Sequence, residues 1–169
     1  RSFEQILYCK SLEDMAQCAH LLGRKADEER YFAHFTRLRK QILPSFWNEK
    51  RQALVHRVVD GRRSRLITRH SNVFAIFFDY FTEAQKQEVA STVINNPSVK
   101  PFTSPFMQFY ELAALCSLGN LSQVLERIRK LWNSSLLKAQ LSSPEAEVDE
   151  KLCYAWGICF LYLFGRYFL

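Results

Sequence analysis

The side chains in this chain whose types and positions could do chemistry fall into four groups. Glu111 sits in a stretch that is otherwise almost wholly apolar, Phe106 to Cys116. A carboxylate there is costly to bury alone, so it calls for either a structural cation or a pocket. His70 and Asn72 lie in Arg69-His70-Ser71-Asn72, at the opening of another apolar run. Polar groups at a helix start either cap the backbone or act as donors to an anion at the positive end of the dipole. Tyr154 and Trp156 offer aromatic faces within Leu152–Leu169, for stacking on a ligand or for the core. The acidic stretch Glu145-Ala146-Glu147-Val148-Asp149-Glu150 reads, on its own, as a solvated connection.

Other chemistries are not written here. There is no Ser/His/Asp order, no glycine-rich phosphate loop and no metal-ligand spacing. Neither a cofactor nor a metal is expected. The five cysteines, Cys9, Cys18, Cys116, Cys153 and Cys159, are odd in number and fall in apolar helical stretches, so they read as buried thiols rather than a disulfide framework.

Positioning those groups requires helices. The chain has 169 residues, enough for one domain with a real core, and 48% are hydrophobic. Fourteen Phe, seven Tyr and three Trp against five Gly and five Pro favour long helices over many short strands. The first helix runs from Ser2, read as its N-cap, to about Leu22, with a broad apolar set and Gly23 as its stop. The second, about Ala26 to Leu43, is amphipathic and ends at Pro44. Residues 44–68 have no helical period and form an irregular or short β-hairpin insertion. A third helix, Val73 to Phe81, is apolar all round. Thr82 with Gln85 makes a capping box for a fourth, which runs to Ile94 and is closed by Asn95-Asn96-Pro97.

The fifth helix has Thr103 or Ser104 as N-cap, Pro105 at its first position and Gly119 just past its end at Leu118. Apolar on nearly every side, it must be covered on all sides. Asn120 with Gln123 opens an amphipathic sixth, and Leu152–Leu169 is the last. Apolar and amphipathic helices therefore alternate, as stacked helical hairpins with an inner and an outer ring would require. The expected fold is all-α: an α/α barrel built of hairpins, with seven main helices in a single domain over residues 1–169.

The net charge of +6 invites a nucleic-acid reading, but the cations are scattered apart from Arg62-Arg63-Ser64-Arg65, with Arg57 and Arg69 nearby. No nucleic-acid motif accompanies them, and a solvated basic surface is expected instead. The uncharged part of the last helix ends at Gly165, too short for the roughly 20 residues of a membrane span. Neither nucleic acid nor membrane is expected as a partner. A signal peptide is not expected from the opening residues, which enter a helix at once. A cytoplasmic location fits that reading, and the compartment is otherwise left open.

Three segments, in order, resemble one family. Arg69-His70-Ser71-Asn72-Val73-Phe74-Ala75 is similar to a Q-H-[SA]-N-x-x-A helix start. Thr103-Ser104-Pro105-Phe106-Met107 with Phe109-Tyr110-Glu111-Leu112, Leu115-Cys116 and Gly119 is close to TPYMxFYELxALCxxG. Leu152-Cys153-Tyr154-Ala155-Trp156 with Tyr162-Leu163 and Gly165 resembles LCHAW…YLLG. The pattern is that of the bacterial α-L-rhamnosidases, whose catalytic domain is a six-hairpin α/α barrel, and the match spans the C-terminal half of that barrel.

The resemblance implies an inverting glycosidase that releases terminal α-L-rhamnose or a related sugar, with a carbohydrate as partner. In such enzymes an acid protonates the leaving oxygen while a carboxylate base activates water from the opposite face. The family's acid lies in the half of the barrel not represented here, and its base lies after the sixth helix, where Glu145 is the nearest candidate. His70, Asn72, Glu111, Tyr154 and Trp156 are carried over as substrate-binding residues, Tyr154 standing where the family has His. The chain by itself is expected to be inactive and to associate with the remainder of a barrel or with itself through an uncovered apolar edge. The alternative is a non-catalytic helical scaffold, or remnant of such an enzyme, that mediates protein interaction.

Overall fold

A computed structural model describes residues 1–130 and 160–169 of the chain. It comprises two compact units, Arg1–Pro101 and Phe102–Leu169.

The first unit begins with helix α1 (Ser2–Leu21), which folds back on helix α2 (Lys25–Phe46). Between them Gly23 takes φ +67°, its N–H reaching the His20 carbonyl while the Arg24 N–H reaches Ala19. This left-handed stop closes α1 as its glycine requires. The broad apolar set of α1 is not buried all round. Ile6, Cys9, Leu12, Ala16 and Ala19 form one buried stripe at helical spacing, while Tyr8, Met15 and Leu22 are exposed. Ser2 is not the expected cap. Arg1 holds that position, and the Ser2 hydroxyl is fully buried against the Val55 and His56 carbonyls and the Ser71 hydroxyl.

Pro44 does not end α2, which continues two residues further to Phe46. A proline near a helix end forfeits one backbone bond and leaves carbonyls needing donors. Here Arg63 supplies them, donating from Nε to the Ser45 carbonyl at 2.9 Å and from its other end to that of Pro44.

Residues 47–63 make two antiparallel hairpins: β1 (Trp47–Asn48) with β2 (Ala53–Leu54), and β3 (Val58–Val59) with β4 (Arg62–Arg63). In the second, Asp60 and Gly61 both have positive φ, 48° and 72°, the two-residue turn that matches strand twist.

Helix α3 (Arg69–Phe77) is the inner element of this unit, with Arg69 and every residue from Ser71 to Ile76 buried. It starts and stops four residues earlier than its apolar run suggests. Asp79 adopts φ +59°, with its own N–H on the Ile76 carbonyl and the Tyr80 N–H on that of Ala75, which is the same left-handed stop made without glycine. Helix α4 (Glu83–Val89) has the expected capping box, the Thr82 hydroxyl accepting from the Gln85 N–H while Gln85 accepts from the Thr82 N–H. Its last part, Ala90–Ile94, widens into a π turn, for which the sequence carries no local signal.

In the second unit helix α5 (Pro105–Ser117) has Pro105 at its first position and buries Glu111 through Cys116. Ser104 is the N-cap but its hydroxyl makes no capping bond; its carbonyl accepts from the N–H groups of Met107 and Gln108. Gly119 repeats the glycine stop at φ +75°. Helix α6 is described over residues 121–130, with Val124 and Ile128 buried, and helix α7 (Phe160–Tyr167) buries Leu163. The expected apolar positions Leu131 and Trp132, the start of the last helix, Cys153 and Cys159 lie outside the described residues.

Cys9 and Cys116 are buried, but Cys18 is exposed, since it falls off the buried stripe of α1. Burial pushes the Cys116 thiol up to about 11 and raises that of Cys9, which keeps both inert. Among the described residues no helix is long and apolar enough to cross a membrane.

Candidate functional site

The polar start of α3 gathers the groups of the first unit that could meet a ligand. Thr68 precedes the helix in extended conformation, and its hydroxyl stands 3.5 Å from Nδ1 of His56. Arg69 turns inward, both Nε and Nη2 donating to the Val99 carbonyl at 3.3 and 3.2 Å, and so ties the chain that follows the π turn to the head of α3. Next, His70 is half-buried with its ring 5.6 Å from that of Phe3, tilted by 45°. Burial, and then the neighbouring His56, push its pKa down. For His56 burial again comes first, followed by the Arg1 and Arg57 guanidiniums. Both imidazoles are therefore held neutral near pH 7, each with one donor and one acceptor nitrogen.

Two neutral imidazoles, a hydroxyl and a phenyl ring form a corner whose chemistry suits a neutral polar ligand rather than acid–base exchange. Imidazole and hydroxyl groups serve the hydroxyls of a polyol, and an aromatic face serves its C–H side. Among the described residues no group of three or more His, Cys, Asp and Glu could hold a metal ion.

Asn72 lies two residues from His70 on the same helix but does a different job. It is completely buried; its Oδ1 accepts from the Leu54 N–H at 2.8 Å while Nδ2 donates to the carbonyls of Leu54 at 3.1 Å and Thr68 at 2.9 Å. This amide pairs with β2 as another strand would, and it presents no surface to a substrate. In this unit Asn72 joins β2 to the head of α3.

Glu111 belongs to the second unit. It is 6% exposed and paired with Arg127 of α6, so the cation demanded by its burial is present. Glu145, Tyr154 and Trp156 lie outside the described residues. Of the six residues expected at a site, the structure places His70 and Asn72 on one helix and Glu111 in the other unit. Phe3, His56 and Thr68 were not legible as neighbours of His70, since the juxtaposition depends on the Ser2–Ser71 contact that sets α1 against α3.

Residues 1–100 match the family model described as the bacterial alpha-L-rhamnosidase 6 hairpin glycosidase domain. Two solved structures are similar in fold. The GH78 family rhamnosidase of Bacillus sp. GL1 superposes with a TM-score of 0.78 at 21% identity, over 97% of this chain and 19% of that one. The rhamnosidase from Klebsiella oxytoca, solved with rhamnose bound, gives a TM-score of 0.75 at 16% identity over 100% of this chain and 34% of that one. The chain thus spans about a fifth of the first and a third of the second. No curated protein matches it.

Proposed function

The chain belongs to the bacterial α-L-rhamnosidase six-hairpin glycosidase family and has the fold of part of an α/α barrel, and from that membership we propose that it forms part of the sugar-binding and catalytic wall of an inverting glycosidase acting on terminal α-L-rhamnose or a related sugar. The observation that carries this reading is the match over residues 1–100, which coincides with the compact unit Arg1–Pro101 and includes the whole corner of Phe3, His56, Thr68 and His70.

On this reading His70 hydrogen-bonds a sugar hydroxyl, with Tyr154 and Trp156 as further contacts and Glu145 as the base that activates water. Inversion requires a second carboxyl roughly 6.5–9.5 Å from that base. Hydrolysis of an aryl α-L-rhamnoside tests the proposal, alongside L-rhamnose binding followed by NMR. In a barrel completed by the half that carries the acid, Glu145→Gln should lower kcat by about 10²–10⁴-fold, the range for loss of a general base. His70→Ala should weaken rhamnose binding. Rhamnose that perturbs no resonance would sink the reading.

A second reading, a non-catalytic helical scaffold that mediates protein interaction, is favoured by one pair of observations. Asn72 and Glu111 are both engaged in holding helices and strands together. Rhamnose binding without turnover, unaffected by Glu145→Gln, would support it.

A further inference from the structure

The β3–β4 hairpin carries a charge pattern that neither the fold nor the corner at α3 uses. Val59 pairs with Arg62 and Val58 with Arg63, and the Ser64 N–H donates to the Arg57 carbonyl at 2.9 Å. Side chains alternate across a strand, so this register puts Arg57, Val59, Arg62 and Ser64 on one face and Val58 with Arg63 on the other. Arg63 is engaged with the end of α2. Arg57 and Arg62 are exposed, and among the described residues neither guanidinium makes a hydrogen bond or an ion pair. Together with Asp60 at the turn and Arg63, these residues line an open basin of about 660 Å³, within the roughly 300–1,000 Å³ usual for ligand sites.

Like charges gathered on one face of a two-stranded hairpin repel one another and weaken it. Elsewhere the described cations are often neutralised: Lys10 by Glu13 and Asp14, Arg30 by Asp27, Lys86 by Asp79 and Glu83, Lys130 by Glu126. The hairpin face instead presents guanidinium forks outward, and their planar donors match carboxylates two bonds at a time. The face carries no aromatic ring on which a base could stack and is only a few residues wide, which does not suit a nucleic-acid track.

We propose that the Arg57–Arg62 face binds the carboxylates of an acidic saccharide, giving this unit a subsite for uronate-bearing glycans. That the ligand is a saccharide rests on the glycosidase reading; that it is anionic rests on the hairpin alone.

Titration calorimetry of the full chain with oligogalacturonate, its methyl ester and a short DNA duplex tests this at low and high salt. Oligogalacturonate should bind, the methyl ester should not, and affinity should fall with salt. The double variant Arg57→Ala/Arg62→Ala should lose at least about tenfold in affinity while keeping or slightly raising its urea midpoint, since these exposed guanidiniums have no partners to lose and repel each other. Binding of the ester as tight as that of the acid, no binding of the acid, unchanged affinity in the double variant, or tighter binding of the duplex would each overturn the proposal. L-rhamnose binding is measured separately on a neutral sugar, so failure there removes the glycosidase reading without deciding this one.

Discussion

Glu111 on α5 and Arg127 on α6 form an ion pair, with the carboxylate 7% and the guanidinium 24% exposed. Sixteen residues apart, they join two consecutive helices across the stop at Gly119. The pair answers the cost of placing a carboxylate in an apolar helix, and it makes Glu111 a group whose partner matters more than its charge.

Removing the partner should therefore be worse than removing the pair. Arg127→Ala is expected to cost about 3 kcal/mol, because an uncompensated charge stays buried. The double replacement Glu111→Leu/Arg127→Met should recover most of that loss. Urea midpoints of the three proteins check the ordering, and a double variant less stable than Arg127→Ala would contradict it.

Asn72→Ala strips the Leu54 N–H and carbonyl of their partners in a site without solvent access. Each unmet buried polar group costs roughly 1–3 kcal/mol, so the loss should be about 3 kcal/mol. Hydrogen exchange at the Leu54 amide should rise with it. If the variant folds with wild-type stability, the amide does not hold β2 to α3.

Stability should fall as pH drops below neutral. His56 and His70 both have folded pKa values below their unfolded ones, so the unfolded chain binds more protons between the two values. Their contribution is complete above the unfolded histidine value, about 6.5, and is lost as pH falls toward the folded values. Replacing both by Gln should flatten the stability–pH curve in that window, while carboxylate titration at lower pH remains. An unchanged slope between pH 7 and 5 would refute the assignment.

Asp79 occupies a left-handed conformation that costs an L-residue about 1 kcal/mol more than glycine. Asp79→Gly forfeits an ion pair with Lys86, whose side chain is 12% exposed and keeps Glu83 as a second partner, so part of the conformational gain is offset. The variant should therefore be more stable by up to about 1 kcal/mol, whereas Asp79→Val, β-branched at the same φ, should be less stable. The Arg39 donor to the Asp79 carbonyl at 2.6 Å is a backbone contact and should persist in both. Thermal unfolding of the two variants settles the order.

Local chemistry was legible in the residues themselves. The stops at Gly23 and Gly119, the Thr82–Gln85 capping box and Pro105 at the head of α5 each involve neighbours a few positions apart, so the sequence determines them without help from the rest of the fold. The same holds for the buried character of α3 and for the need of Glu111 for a partner.

What the tertiary structure decided is which distant group answers each local demand. Ser2 had the composition of a cap, but its hydroxyl was taken by Val55, His56 and Ser71. Pro44 had the composition of a stop, but Arg63 arrived from a hairpin to satisfy the carbonyls beyond it. Asp79 ended α3 where apolar continuity suggested another turn, held there by Arg39 from α2. Only one stripe of α1 was buried, although its composition would have allowed several. The physical reason is common to all four. Propensity and capping act over one turn of chain, whereas the partner of a buried polar group depends on how helices and hairpins register against each other, and that register is a property of packing.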